Sequence, residues 1–175
     1  VESNGCVSVE AEHFSRAKGM PPISWKRIPD LGRTLSAMMP EPVTAASQTP
    51  GGESPRLEYQ MYLFTKGEVR VRAYLSPTLN FSNNQGLRYA ISFDDQPPQI
   101  INMHAGKNFQ DWEESVRNNV TIGSSKHVLT EAGAHTLKFW MVDAGVVLQK
   151  LVVETSEPKS SYLGAPESVL ISKMK

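Results

Sequence analysis

Cys6 is the only cysteine among 175 residues. A single thiol forms no internal disulfide and builds no cysteine-based zinc site. Its setting, Cys6-Val7-Ser8-Val9, reads as a small apolar group packed in a strand, not as a nucleophile. Charge of one sign is missing too: 18 Lys and Arg balance 18 Asp and Glu, for a formal net charge of zero. No electrostatic excess points to nucleic acid or to an anionic membrane as a partner. No apolar run approaches the ~20 residues that span a bilayer. No basic stretch followed by an apolar one marks a secretory leader, and the start at Val1 without Met reads as an excised or processed piece. Nucleophilic hydrolysis has no support, because a Gly-x-Ser-x-Gly elbow and a Cys/His arrangement are both lacking. The four histidines, His13, His104, His127 and His135, lack the i, i+4 spacing of a helical zinc motif. His127 and His135 flank a turn at Gly133 and read as a cross-strand pair.

What is present is period-two alternation, the mark of half-buried strands. It runs through 6–14, 33–40, 55–64, 68–75, 87–95, 98–103, 126–129, 135–142 and 146–154. In 68–75, Val69, Val71, Ala73 and Leu75 share one face and Arg70, Arg72 and Tyr74 the other. In 87–95 the apolar face is Leu87, Tyr89, Ile91 and Phe93. Short strands at regular spacing, without alternating helices, predict an all-β fold: a two-sheet antiparallel β-sandwich, jelly-roll-like, over residues 1–158. Residues 159–175 read as a tail, with Tyr162, Leu163, Val169, Leu170 and Ile171 packing on the sandwich or on a missing partner domain. The Pro/Gly/Ser-rich stretch 39–55 predicts a mobile surface loop. Only 109–119 has helical character, with Asp111 as cap and Glu113 and Glu114 in the first turn; an irregular loop carrying Trp112 is the other reading.

Several residues have the chemistry of a site. Glu10 and Glu12 stand two apart, so in a strand they point the same way. Such a pair of hard oxygen ligands suits Ca²⁺; the plainer reading is a solvated strand face. The paired carboxylates Asp94-Asp95 and Glu113-Glu114 read as turn and helix residues before they read as a glycosidase pair. Trp25 and Trp112 fall in expected loops, and an indole beside amides such as Asn118 and Asn119 makes a sugar platform. In "VVLQKLVVE", Gln149 interrupts an apolar strand. If Val147, Leu151 and Val153 face the core, Gln149 does too and requires hydrogen-bond partners or an ion, while Lys150 points outward with Leu148 and Val152.

The stretches "VSVEAEHFSR", "SWKRIPDLGRTLSAM", "PRLEYQMYL", "PTLNF", "GLRYAISFDDQPPQIIN", "HTLKFWMVDAGVVLQKLVVE" and "SYLGAPES" occur in an order that resembles the C-terminal domain of glycoside hydrolase family 115, the xylan α-1,2-glucuronidases. The resemblance implies a sandwich akin to carbohydrate-binding modules of families 6 and 35, placed after a much larger catalytic region. It implies a non-catalytic accessory module that binds xylan, glucuronoxylan or a related plant cell-wall polysaccharide, with the parent's catalytic domain as its other partner. A structural or dimerisation domain with no sugar site is the alternative. It further implies a structural Ca²⁺ held by Glu10 and Glu12, with Gln149 at the last-strand position where related modules place an Asp. Trp112 and Asn119 match loop residues of the sugar cleft, whereas the loop Asp143-Ala144-Gly145 lacks the usual Asn. A secreted, periplasmic or cell-surface location follows from the same resemblance.

Overall fold

A computed structural model describes residues 1–81, 86–156 and 163–170. Its strands are β1 (Cys6–Glu10), β2 (Arg16–Lys18), β3 (Ser24–Ile28), β4 (Ala37–Glu41), β5 (Arg56–Leu63), β6 (Gly67–Leu75), β7 (Arg88–Phe93), β8 (Gln99–Asn102), β9 (Thr121–Leu129), β10 (Gly133–Met141) and β11 (Leu148–Glu154), with one helix, α1 (Phe109–Arg117), before β9. Two antiparallel sheets form the expected sandwich. The first has the order β3-β4-β11-β6-β9, with β1 also paired to β11; the second has the order β2-β5-β10-β7-β8. No helix of the described residues is long and apolar enough to cross a membrane.

Alternation places the core between the sheets. Val69, Val71, Ala73 and Leu75 of β6 meet Leu87, Tyr89, Ile91 and Phe93, from β7 and the residue before it, in one buried cluster. Tyr89 stacks on Phe139 of β10 at 5.2 Å between ring centroids. Cutting one of these side chains back to Ala costs about 2–5 kcal/mol, because a packed core closes only partly over a hole.

Five features differ from the sequence reading, each for a physical reason. β9 begins at Thr121, well before 126, and its inward positions are Thr121, Gly123, Ser125, His127 and Leu129. Small and polar side chains there conceal the strand from a hydropathy pattern. Gly123 is needed: a Cβ would lie 2.0 Å from the Tyr89 hydroxyl. His127 is buried, bonded to the Ser125 hydroxyl at 2.9 Å, and burial pushes its pKa down to about 4. It does not face His135 across adjacent strands, because β9 and β10 belong to different sheets. Instead both rings pack edge-on against Phe93.

Strands β2 and β3 were not anticipated, since β2 is short and β3 is a polar edge strand. The helix starts one turn earlier than expected, with Asn108 as its cap. The Asn108 side chain accepts from the Asp111 N–H at 3.0 Å, and the Asp111 carboxylate accepts from the Asn108 N–H at 2.8 Å, a reciprocal box. Finally, β11 carries a bulge: Leu148 pairs with Leu75, but Lys150 pairs with Tyr74, leaving Gln149 as the extra residue. The bulge turns Leu148 into the core beside Leu151 and Val153, not outward as uninterrupted alternation predicts.

Candidate functional site

The outer face of the first sheet carries a cavity of about 540 Å³. Its floor comes from outward positions of neighbouring strands: Arg72 and Tyr74 on β6, Val152 and Glu154 on β11, and Ile122 on β9. Helix α1 forms one wall through Asp111, Glu114, Ser115 and Asn118, and Gly164 with Ala165 forms the opposite rim. Arg33 and Lys107 also reach it. The cavity thus combines guanidinium and ammonium groups, carboxylates, an amide and an apolar floor.

Glu154 is the residue that stands out. Its side chain is 5% exposed, and Oε1 accepts from Arg72 Nε at 2.9 Å. Among the described residues, its Oε2 has no hydrogen-bond partner although it is buried. A carboxylate oxygen out of water and without a donor carries a desolvation cost of about 1–3 kcal/mol, or more because it is charged. Burial pushes the pKa of Tyr74 up, with Arg72 pulling partly against it. Burial likewise raises that of Cys6 at the cavity edge, aided by Glu154 and Glu2. Lys107 donates to the Thr121 hydroxyl, and burial lowers its pKa while Asp111 partly offsets the shift.

The residues picked out from sequence do not gather at this cavity. Asn118, the helix C-cap, lines it. Asn119 follows with a left-handed φ of 52°, and its carbonyl accepts from Gln149 Nε2 at 2.9 Å. Trp112 is half-buried on α1 and lines a separate small cavity with Met103 and His104. Trp25 is not in a loop: it sits on β3, donates its indole N–H to the Lys18 carbonyl at 2.9 Å and packs edge-on against Phe139. Its polar and apolar parts are both engaged in holding the fold.

The three expected calcium ligands lie around one segment, residues 33–36, yet each is already bonded. Glu10 Oε1 accepts from the Thr34 hydroxyl at 2.6 Å and from Lys150 Nζ at 2.9 Å. Glu12 accepts from the Ser36 N–H at 3.1 Å and pairs with Arg27. Burial raises the pKa of Glu12, but the bonds from Ser36 and Arg27 outweigh it and leave the carboxyl below its ordinary value. Gln149 Oε1 accepts from the Arg33 N–H at 3.1 Å, and its Nε2 donates to Ser76 Oγ at 3.0 Å as well as to Asn119. Among the described residues, no group of three His, Cys, Asp or Glu side chains is placed to hold a metal. As arranged, the donor set does not fit a divalent cation.

The loop before β11 is also occupied. Asp143 accepts from Arg88 Nε at 2.8 Å and from the terminal Nη2 at 3.0 Å, and from the Ser47 hydroxyl. Burial raises the pKa of Asp143, and these bonds outweigh it to leave the carboxyl depressed. The stretch 39–55 therefore begins as strand β4 and is then tied down by Ser47 and by Gln48, whose N–H donates to the Val142 carbonyl at 2.7 Å. Of the tail, residues 163–170 are described; Tyr162 and Ile171 lie outside the described residues. Ser168 bonds both backbone groups of Ser8, and Glu167 Oε1 accepts from the Glu10 N–H.

The two-sheet β-sandwich is a fold shared with solved carbohydrate-binding modules. The chain is similar to the C-terminal family 6 module of the laminarinase LamC from Zobellia galactanivorans, with 12% identity, a TM-score of 0.55, and coverage of 85% of this chain and 98% of that one. It is similar to a family 35 module from Clostridium thermocellum, with 17% identity, a TM-score of 0.57, and coverage of 84% and 97%. The chain belongs to the glycosyl hydrolase family 115 C-terminal domain family, whose model matches residues 1–167. A family 115 4-O-methyl-α-glucuronidase with specificity for decorated arabinogalactans shares the fold at 18% identity and a TM-score of 0.67 over 90% of this chain. The chain spans only 18% of that enzyme's length. No curated protein matches the chain.

Proposed function

We propose that this domain is a non-catalytic accessory module of a plant-polysaccharide-degrading enzyme, and that it binds glucuronoxylan or a related hemicellulose in the cavity between β6, β11 and α1. The unpartnered Glu154 Oε2 carries this reading. A sugar hydroxyl is a donor of the right kind for that oxygen, and Arg72 and Asn118 offer N–H groups to ring and hydroxyl oxygens. Tyr74 and Val152 supply apolar surface for C–H groups. Membership in the family 115 C-terminal domain family supports a polysaccharide ligand, and the specificity of one family 115 enzyme for decorated arabinogalactans makes that polymer the natural competitor. Such a module works beside its catalytic domain where the polymer is, in a secreted, periplasmic or cell-surface enzyme.

Isothermal titration against glucuronoxylan, arabinoxylan and decorated arabinogalactan oligosaccharides tests this. Weak binding to glucuronoxylan, lost in Glu154→Gln, is expected. Binding that Glu154→Gln leaves untouched would move the site elsewhere. No binding across the panel at millimolar sugar would leave the domain as a structural or dimerising support for the catalytic region.

A further inference from the structure

Glu10 and Lys150 are in register across the β1–β11 pairing. Their charged ends are 2.9 Å apart, and each side chain is only 4% exposed. The ammonium also donates to the Ala165 carbonyl at 3.3 Å. The bulge at Gln149 sets this up. It lets Leu148 and Leu151 both reach the core while Lys150, between them, meets Glu10. Glu12, the second carboxylate, is paired with Arg27. The two carboxylates therefore each face a cation of the same chain, and Glu167 beside them is bonded to His13. A divalent ion added here would leave a buried excess of positive charge, which is strongly unfavourable out of water.

The hydrogen bonds agree with this pairing. Ca²⁺ requires about 6–8 oxygens at roughly 2.3–2.6 Å, with lone pairs aimed at the ion. Here the segment 33–36 presents the reverse polarity. The Arg33 N–H, the Thr34 hydroxyl and the Ser36 N–H donate respectively to Gln149, Glu10 and Glu12. The amide at position 149 brings no charge for an ion, and its oxygen is used to hold this segment.

We propose that Lys150 supplies, from within the chain, the positive charge that a bound divalent cation would supply, so that the domain folds and keeps its structure without calcium. The test is a set of thermal melts of the chain in EDTA and in millimolar CaCl₂, with isothermal titration of CaCl₂ alone. The wild type is expected to melt at the same temperature in both buffers and to show no binding heat. A melting temperature that falls in EDTA and is restored by CaCl₂ would overturn the proposal. Lys150→Met strands Glu10 without its cation, so its melting temperature should fall sharply. If that variant does not fold, the double variant Glu10→Gln with Lys150→Met decides. It is expected to fold, because both buried charges are removed together, and to ignore EDTA. A double variant that does not fold, or that folds only with CaCl₂, would show that a stranded Glu10 is not the cause, and the proposal would fail.

Discussion

The outer faces of the two sheets are built from similar residues and end differently. On the second sheet, Arg56 lies over the Trp140 ring at 4.7 Å. Both side chains are tied down: Trp140 donates to Ser92 Oγ at 2.9 Å, and Arg56 donates from Nε to Glu58 and from Nη1 to the Gly52 carbonyl. The covering stretch is the Pro/Gly/Ser-rich connection, clamped through Asp143 and Arg88. On the first sheet, Arg72 and Tyr74 also stand side by side with a carboxylate, but a cavity lies over them and one carboxylate oxygen is left without a donor. An aromatic next to an arginine is therefore no marker of a site. What separates the two faces is unspent hydrogen-bonding capacity.

The largest expected contrast comes from Trp140→Ala. It empties a sealed face and should cost about 3–5 kcal/mol in urea unfolding, while leaving any glycan affinity unchanged. Lost binding would mean the sealed face is the site after all. Next is the acid limb of stability. His127 has its folded pKa depressed to about 4 from an ordinary 6.5, so the unfolded chain protonates first as pH falls. Stability is thus full above the ordinary value and declines as pH drops from about 6.5 towards 4, by roughly 3 kcal/mol in all. Asp143 has its folded pKa lowered as well, so its contribution is present above the ordinary Asp value and is lost only at lower pH. Urea midpoints of His127→Gln should lose the upper window and keep the lower one, which isolates the clamp of the sealed face. A smaller effect, about 1 kcal/mol, is expected of Asn108→Ala, which removes the cap of the cavity wall. If α1 is a working wall, glycan affinity measured by titration should fall with it. Glu154→Gln, the variant that should abolish binding, sits at the bottom of the stability scale.

Much of this was legible from alternation. The inward faces of β6 and β7 were read residue by residue, because Val69, Val71, Ala73 and Leu75 on one and Tyr89, Ile91 and Phe93 on the other are all apolar. β9 was read only from 126, because Gly123, Ser125 and His127 occupy its inward positions for reasons of fit and hydrogen bonding. Of the residues expected to contact sugar, Asn118 lines the cavity, Trp112 lines a separate small one, and Trp25 packs against Phe139. Glu154 was in view as the last residue of an apolar strand, on the same face as Val152. A carboxylate at the end of an otherwise apolar strand was the available signal, but nothing in its spacing named Arg72 as its neighbour.

By itself, the sequence determined that the chain is a neutral two-sheet sandwich with one cysteine and no nucleophilic elbow, and which face of most strands is buried. Alternation does this because it repeats within each strand and depends only on the pleat. It says nothing of which strand lies beside which. Tertiary pairing alone decided that Lys150 meets Glu10, that Arg72 meets Glu154, and that Gln149 sits in a bulge bonded to Arg33, Ser76 and Asn119. Those residues are far apart along the chain, and only the order of strands in the first sheet brings the charges together. The same order separates a carboxylate that is neutralised from within from one that still lacks a donor.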